Sequence, residues 1–190
     1  MYLQNYIGLS LITYLIGCKY LSRFEDKTDQ RHLAFKRSIA NFICVLVIVL
    51  MHNLKMPTKN NSWLGDLYVL IVWFVAAEVI FSTGHYTLHN KHLYWIHKQH
   101  HENNPSFSTS SLDSNFIEFV TTNIFSIALP MYVCPGSLPL GIFWVVFVTV
   151  NTCIAHSKEG DHLKHHKMFN YNYGQGTYLF DKIMGTYLKN

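Results

Sequence analysis

Charge is scarce in this chain. Lys, Arg, Asp and Glu make up only 14% of its 190 residues, against roughly a quarter in soluble domains. An ordinary water-exposed globule is excluded on that ground. The four cysteines, Cys18, Cys44, Cys134 and Cys153, show no CxxC spacing and fall in or beside apolar stretches. That excludes a disulfide framework and predicts buried, reduced thiols. The basic start and small-residue cleavage site of a secretory signal are also missing, so Met1–Cys18 is predicted to be a retained first membrane helix. There is no internal repeat, no low-complexity tract and no shift of composition, and residues 1–190 read as one domain. The mild excess of basic residues is not massed with aromatics in one stretch. It argues for a membrane surface and against nucleic acid.

What the chain does have is length of apolar run. After Met1–Cys18 come Ser38–Leu54, then Leu67–Gly84 broken only by Glu78, then Phe119–Ala155 with no charged residue. As one straight helix the last run would span roughly 55 Å at 1.5 Å per residue, far more than the ~30 Å hydrocarbon core. Pro130, Pro135, Gly136, Pro139 and Gly141 fall in its middle, which predicts a helical hairpin turning near Cys134–Leu138. The expected fold is all-α, about three helices and a hairpin, with a histidine-rich cap. Three passes and a hairpin set segments 19–37 and 84–118 and the tail on one face, with thirteen Lys and Arg against Lys55 and Lys59 on the other. The excess of basic residues predicts that the first face is cytosolic.

Histidine is over-supplied. There are twelve, and all but His32 and His52 lie from His85 to His166. His85 and His89 form HxxxH. His97, His100 and His101 form HxxHH, and so do His162, His165 and His166. By composition one HxxHH is expected about 0.05 times in a chain of this length, so two are not accidental. Residues at i, i+3 and i+4 share a helix face, so each group is expected to aim its imidazoles at one point. Eight buried imidazoles without a metal would need eight sets of hydrogen-bond partners. A closed zinc site takes four ligands and prefers a mix of Cys and His; eight or nine imidazoles suit two ions at four or five each, and a redox metal with open positions. His156, at the end of the hairpin, is a ninth candidate if a tight turn through Gly160 brings it in. His92 lies off the pattern, and His32 and His52 read as surface residues. Glu78 and Asp181 are candidates for carboxylates that orient an imidazole. Asn172-Tyr173-Gly174 reads as a turn.

The three groups, with the run Leu93-Tyr94-Trp95-Ile96-His97-Lys98-Gln99-His100-His101, resemble the histidine boxes of the fatty acid hydroxylase and sterol desaturase superfamily. The tail Phe169-Asn170-Tyr171-Asn172-Tyr173-Gly174-Gln175, and then Phe180-Asp181-Lys182-Ile183-Met184-Gly185-Thr186, is similar to the sterol C-5 desaturase branch. The resemblance covers about residues 64–188. It implies a di-iron centre held by His85, His89, His97, His100, His101, His156, His162, His165 and His166. It also implies dioxygen as co-substrate, electrons from cytochrome b5 and its reductase or a like donor, a lipid substrate drawn from the bilayer, and an endoplasmic reticulum address. Sterol is the first expectation, with fatty acyl or sphingolipid chains next. The chain is shorter than typical members, and only six positions separate His156 from His162. Two other classes fit some of the residues: a bis-histidine haem carrier, whose ligands would be two well-separated histidines, and a non-catalytic metal-binding relative.

Overall fold

A computed structural model describes residues 2–21, 29–104, 106–157 and 162–188. The elements are α1 (Leu3–Leu21), α2 (Asp29–His52), α3 (Trp63–Leu88), α4 (Tyr94–His97), α5 (Phe116–Val133), α6 (Leu138–Ala155), α7 (His162–Met168) and α8 (Leu179–Met184). Short 3₁₀ turns at His100–Glu102 and Ser108–Ser110 lie between α4 and α5. The expected all-α bundle is the observed one. Four helices, α2, α3, α5 and α6, are long and apolar enough to cross a membrane.

The expected first span departs from this. Residues 3–21 do form a helix, but Gln4, Asn5, Ser10, Thr13 and Lys19 dilute its apolar character and α1 is not among those four. Several of its polar groups are satisfied inside the bundle. The Ser10 hydroxyl lies 2.9 Å from that of Thr149, and the Tyr14 hydroxyl donates to the Thr109 carbonyl at 2.7 Å. Helix α1 packs against α2 and α6. The α1–α6 contact is close: a methyl on Gly141 would sit 2.5 Å from the Tyr6 hydroxyl. Small residues at such crossings let helices approach where no hydrophobic effect drives them together.

The hairpin turns where the prolines and glycines predict, between Val133 and Leu138. Ser137 caps α6 by accepting from the Leu140 N–H, and Pro139 sits in its first turn, where a missing N–H costs nothing. Ser62 caps α3 in the same way through Gly65. Asp66 ties the two starts together, accepting from the Ser137 N–H and from Asn61 Nδ2, each at 3.1 Å. This is the end of the bundle opposite the histidines. Lys55 and Lys59 belong to it, through the Leu3 N–H to Leu54 carbonyl and Lys59 N–H to Gly136 carbonyl bonds.

At the other end Arg37, on α2, reaches Glu102 at 2.9 Å and the buried Asp113 at 2.6 Å. The core between the ends is aromatic. Phe42 meets Phe119 edge-on at 5.2 Å, and Trp73 packs 5.9 Å from Trp144 while donating its Nε1–H to the Cys134 carbonyl. None of the four cysteines is in a disulfide; Cys18 and Cys153 are buried as expected, but Cys134 is half-buried and Cys44 is exposed on α2. A thiol is apolar enough to face lipid there without burial in protein. Within α5, residues Phe119–Ile124 widen to a π-helical turn, a distortion found mostly at functional sites.

Candidate metal centre

Each histidine group arrives on its own piece of structure. His85 lies in the last turn of α3 and His89 caps its C-terminus. His97 ends the four-residue α4, and His100 and His101 open the 3₁₀ turn that follows. His156 caps α6, and His162, His165 and His166 lie on α7. All nine come together at one end of the bundle. Eight are buried, and His89 is partly exposed. Gly160 lies outside the described residues. His92, His32 and His52 are exposed and stand apart from the assembly.

The nine divide into two sets whose ring nitrogens lie within 4.8 Å of one another: His85, His89, His97, His101 and His165, and His100, His156, His162 and His166. This corrects the expectation that each box aims at a single point. In both HxxHH boxes the i, i+4 pair goes to one set and the i+3 residue to the other. His97 and His101 join the first set and His100 the second; His162 and His166 join the second and His165 the first. Neighbouring residues on a helix point about 100° apart, so His165 and His166 cannot serve the same point. Each HxxHH box thereby spans both sets and cross-links them, while His85 and His89 both serve the first.

Six of the nine rings are held in one tautomer from outside. Nδ1–H of His85 donates to the Tyr173 carbonyl at 2.8 Å, of His165 to Tyr171 at 2.8 Å, and of His156 to Thr152 at 2.9 Å. His162 donates to the Asn172 and Gly174 carbonyls at 3.1 and 3.2 Å, and His100 to that of Asp113 at 3.3 Å. His97 donates to the Glu118 carboxylate at 2.8 Å. With the proton fixed on Nδ1, Nε2 presents a bare lone pair to the interior. Among the rings fixed in this way, the lone pairs face each other at short range: His85 to His97 at 3.0 Å and His100 to His156 at 3.3 Å. Two acceptor nitrogens so placed cannot hydrogen-bond to each other. Such separations are the edges of a coordination shell with metal–nitrogen bonds of about 2.0–2.1 Å. His162 Nε2 and both nitrogens of His166 are buried with no hydrogen-bond partner among the described residues. The donor set fits metal ions.

Electrostatics agree. Burial lowers the imidazole pKa values, and the neighbouring histidines lower them further: His89 to about 4 and His101 to about 2. His100 falls to about 4 through burial, against a raising contribution from Asp113. His97, His156, His162, His165 and His166 are driven down by burial first and then by their neighbours. Near neutral pH these rings are uncharged, which is the state a metal requires of them.

Glu78 and Asp181 do not touch an imidazole. Asp181 accepts from the Tyr173 and Gly174 N–H groups, both at 2.8 Å, and so fixes the peptide whose carbonyls hold His85 and His162. Glu78 accepts from the Leu179 N–H at the start of α8. Both staple the tail over the site. Asn172 sits in the left-handed region at φ 55° and makes the turn expected there. The carboxylate that does meet an imidazole is Glu118, which sequence reasoning did not single out. Asp113 also went unnoticed: it is buried and accepts from Gln99, Asn103 and Arg37.

Below the histidines, between α3, α5 and α6, lies an open apolar cavity. Phe81, on its wall, packs edge-on against His85 at 5.4 Å, and Thr152, also on the wall, is the residue whose carbonyl holds His156.

Comparison with known proteins places the chain. The family model described as fatty acid hydroxylase matches residues 70–186. The chain is 31% identical to a Delta(7)-sterol 5(6)-desaturase of Leptosphaeria maculans, over 64% of its own length and 38% of the relative's. It is 26% identical to lathosterol oxidase of Rattus norvegicus, over 67% and 47% respectively. A Delta(7)-sterol 5(6)-desaturase of Schizosaccharomyces pombe is 28% identical, over 97% of this chain and 68% of the relative. The chain thus spans about half the length of these relatives. No solved structure matches it.

Proposed function

Because the chain belongs to the fatty acid hydroxylase family, we propose that it is a membrane oxidoreductase that uses two iron ions and dioxygen to hydroxylate or desaturate a lipid, most simply a sterol. The observation that carries this reading is the pair of imidazole sets, five and four, packed against an apolar cavity inside a bundle of membrane-length helices. His85, His89, His97, His101 and His165 would hold one ion, and His100, His156, His162 and His166 the other. When bound, the metal pair would supply dioxygen reduction and hydrogen removal from an unactivated methylene.

The chain's own residues do the rest. Tail carbonyls and Glu118 keep the imidazoles aimed inward, and burial keeps them neutral. Phe81, Phe119 and Phe147 line a dry approach in which a lipid entering between helices can lie with its reacting carbon near the histidines. Electrons would come from cytochrome b5 and its reductase or a comparable donor at the histidine end. Described basic residues there include Arg31, Lys36, Lys91, Lys98 and Lys164, and that end would face the cytosol from the endoplasmic reticulum membrane. The test is lipid analysis of cells expressing the chain against cells expressing the His100→Ala variant. A new sterol or lipid oxidation product is expected only with the unmodified chain. Identical lipid profiles, with the protein present and metal-loaded, would overturn the reading.

A further inference from the structure

The cavity wall is not uniformly apolar. Far from the histidines it is built of Phe74, Ile127 and Trp144. Near them stand three carboxamide residues, one from each side: Asn123 on α5, Asn151 on α6 and Gln175 in the tail. Their depth follows from their neighbours. Asn151 precedes Thr152, whose carbonyl holds His156, and Gln175 follows Gly174, whose carbonyl holds His162. Asn123 lies on the π-helical turn just beyond Glu118, the partner of His97.

Their hydrogen-bonding capacity is largely unspent. The side chains of Asn123 and Gln175 make no hydrogen bond among the described residues, and Asn151 uses only Nδ2, on the Gln175 carbonyl. The hydroxyls on the same wall differ: Thr149, Thr152 and Ser126 are each turned back onto a carbonyl of their own helix. Asn123 and Asn151 lie on membrane-length helices, where a carboxamide is costly unless something answers it. Each offers both a donor and an acceptor, which is what a hydroxyl needs from its surroundings.

We propose that Asn123, Asn151 and Gln175 bind a hydroxyl group of the lipid substrate, so that the lipid enters hydroxyl-first and is oxidised at a carbon close to that hydroxyl. A compact ring lipid with a hydroxyl at its leading end, such as a sterol, meets this requirement. A fatty acyl chain entering by its methyl end brings no oxygen to the amides and leaves Asn123, Gln175 and the Asn151 carbonyl oxygen unanswered. The inference rests on the sterol reading above and adds the orientation of the substrate.

Binding separates the two readings without relying on turnover. The full-length, metal-loaded protein in lipid nanodiscs is titrated with cholesterol and with cholest-5-ene, which lacks the hydroxyl. The unmodified protein is expected to bind cholesterol about tenfold more tightly, the worth of one or two hydrogen bonds. Asn123→Leu and Gln175→Leu should shrink that preference towards unity while cholest-5-ene affinity holds. Metal content, measured on each variant, verifies that the site is intact. Equal binding of both sterols by the unmodified protein overturns the hydroxyl-first orientation and leaves the sterol reading standing. Binding of neither, with tight binding of a stearoyl probe, overturns both. Because the first comparison uses only the unmodified chain, a variant that fails to fold does not remove the test.

Discussion

An imidazole binds metal only as the neutral ring, and burial here holds it neutral. The unfolded rings titrate near 6.5, whereas folded His89 and His100 do so at about 4. Between those values the unfolded chain carries more protons than the folded one, so stability falls as pH falls through 6.5 and the loss levels off for these two below about 4. Thermal unfolding of metal-free protein should therefore show a lower midpoint at pH 5 than at pH 7.5; a midpoint that rises on acidification contradicts the assignment. Substitution by Ala at His85, His89, His97, His100, His101, His162, His165 or His166 should abolish product while expression stays near normal, because each ring faces the interior of the assembly. His32, His52 and His92 should tolerate it. His156 is the sharpest case, since its Nε2 faces His100 at 3.3 Å; full activity with both metals in His156→Ala would reduce the centre to eight ligands. Glu118→Gln keeps an acceptor for His97 but replaces the carboxyl group that holds the ring. A 10–100-fold loss of metal affinity is expected, by analogy with other outer partners of metal-binding histidines, and a chelator competition series measures it.

At the scale of elements, the boxes were legible and their wiring was not. Spacing at i, i+3 and i+4 is written in the residues and names eight of the histidines; His156 is named from its place at the end of the hairpin and from the family resemblance. Their division into two sets depends on how α3, α4, α6 and α7 converge, which the spacing within a box does not announce. Glu118 escaped notice because it lies 21 positions from His97. It did carry the signal that drew attention to Glu78, an acid bordering an apolar run. The tail's carbonyls were illegible for a simpler reason: any residue type supplies a carbonyl. Gly174 is the exception, since a methyl there would lie 3.0 Å from Glu78 Oε1 and 3.1 Å from Asp181 Oδ2. Gly174→Ala should push the Tyr173–Gly174 peptide off His85 and His162, destabilise the protein by about 1–3 kcal/mol and lower its metal content. Differential scanning calorimetry and metal analysis on one preparation test both effects, and unchanged metal content would show that the collar is not what holds those rings.

For the whole molecule, the bundle separates its two ends by chemistry. One end holds the hairpin turn, Lys55 and Lys59; the other gathers the histidines and the remaining described basic residues. A C-terminal tag should be cleaved by protease added to the cytosolic side of sealed vesicles, and protection of the tag would reverse the orientation. Protein produced with iron supplied should hold about two metal ions per chain, counted by elemental analysis; no more than one would defeat the dinuclear reading. The stapled tail has a consequence in time as well as in space. The carbonyls that orient His85, His162 and His165 come from residues 171–174, and the carboxylate that fixes them, Asp181, comes later still. While that stretch is still inside the ribosome, every imidazole has been made but none of those three has its outer partner. The centre is therefore completed only once that stretch has emerged, and a chain cut short before residue 171 should be inserted in the membrane but unable to retain metal, an inert product rather than a leaky oxidant.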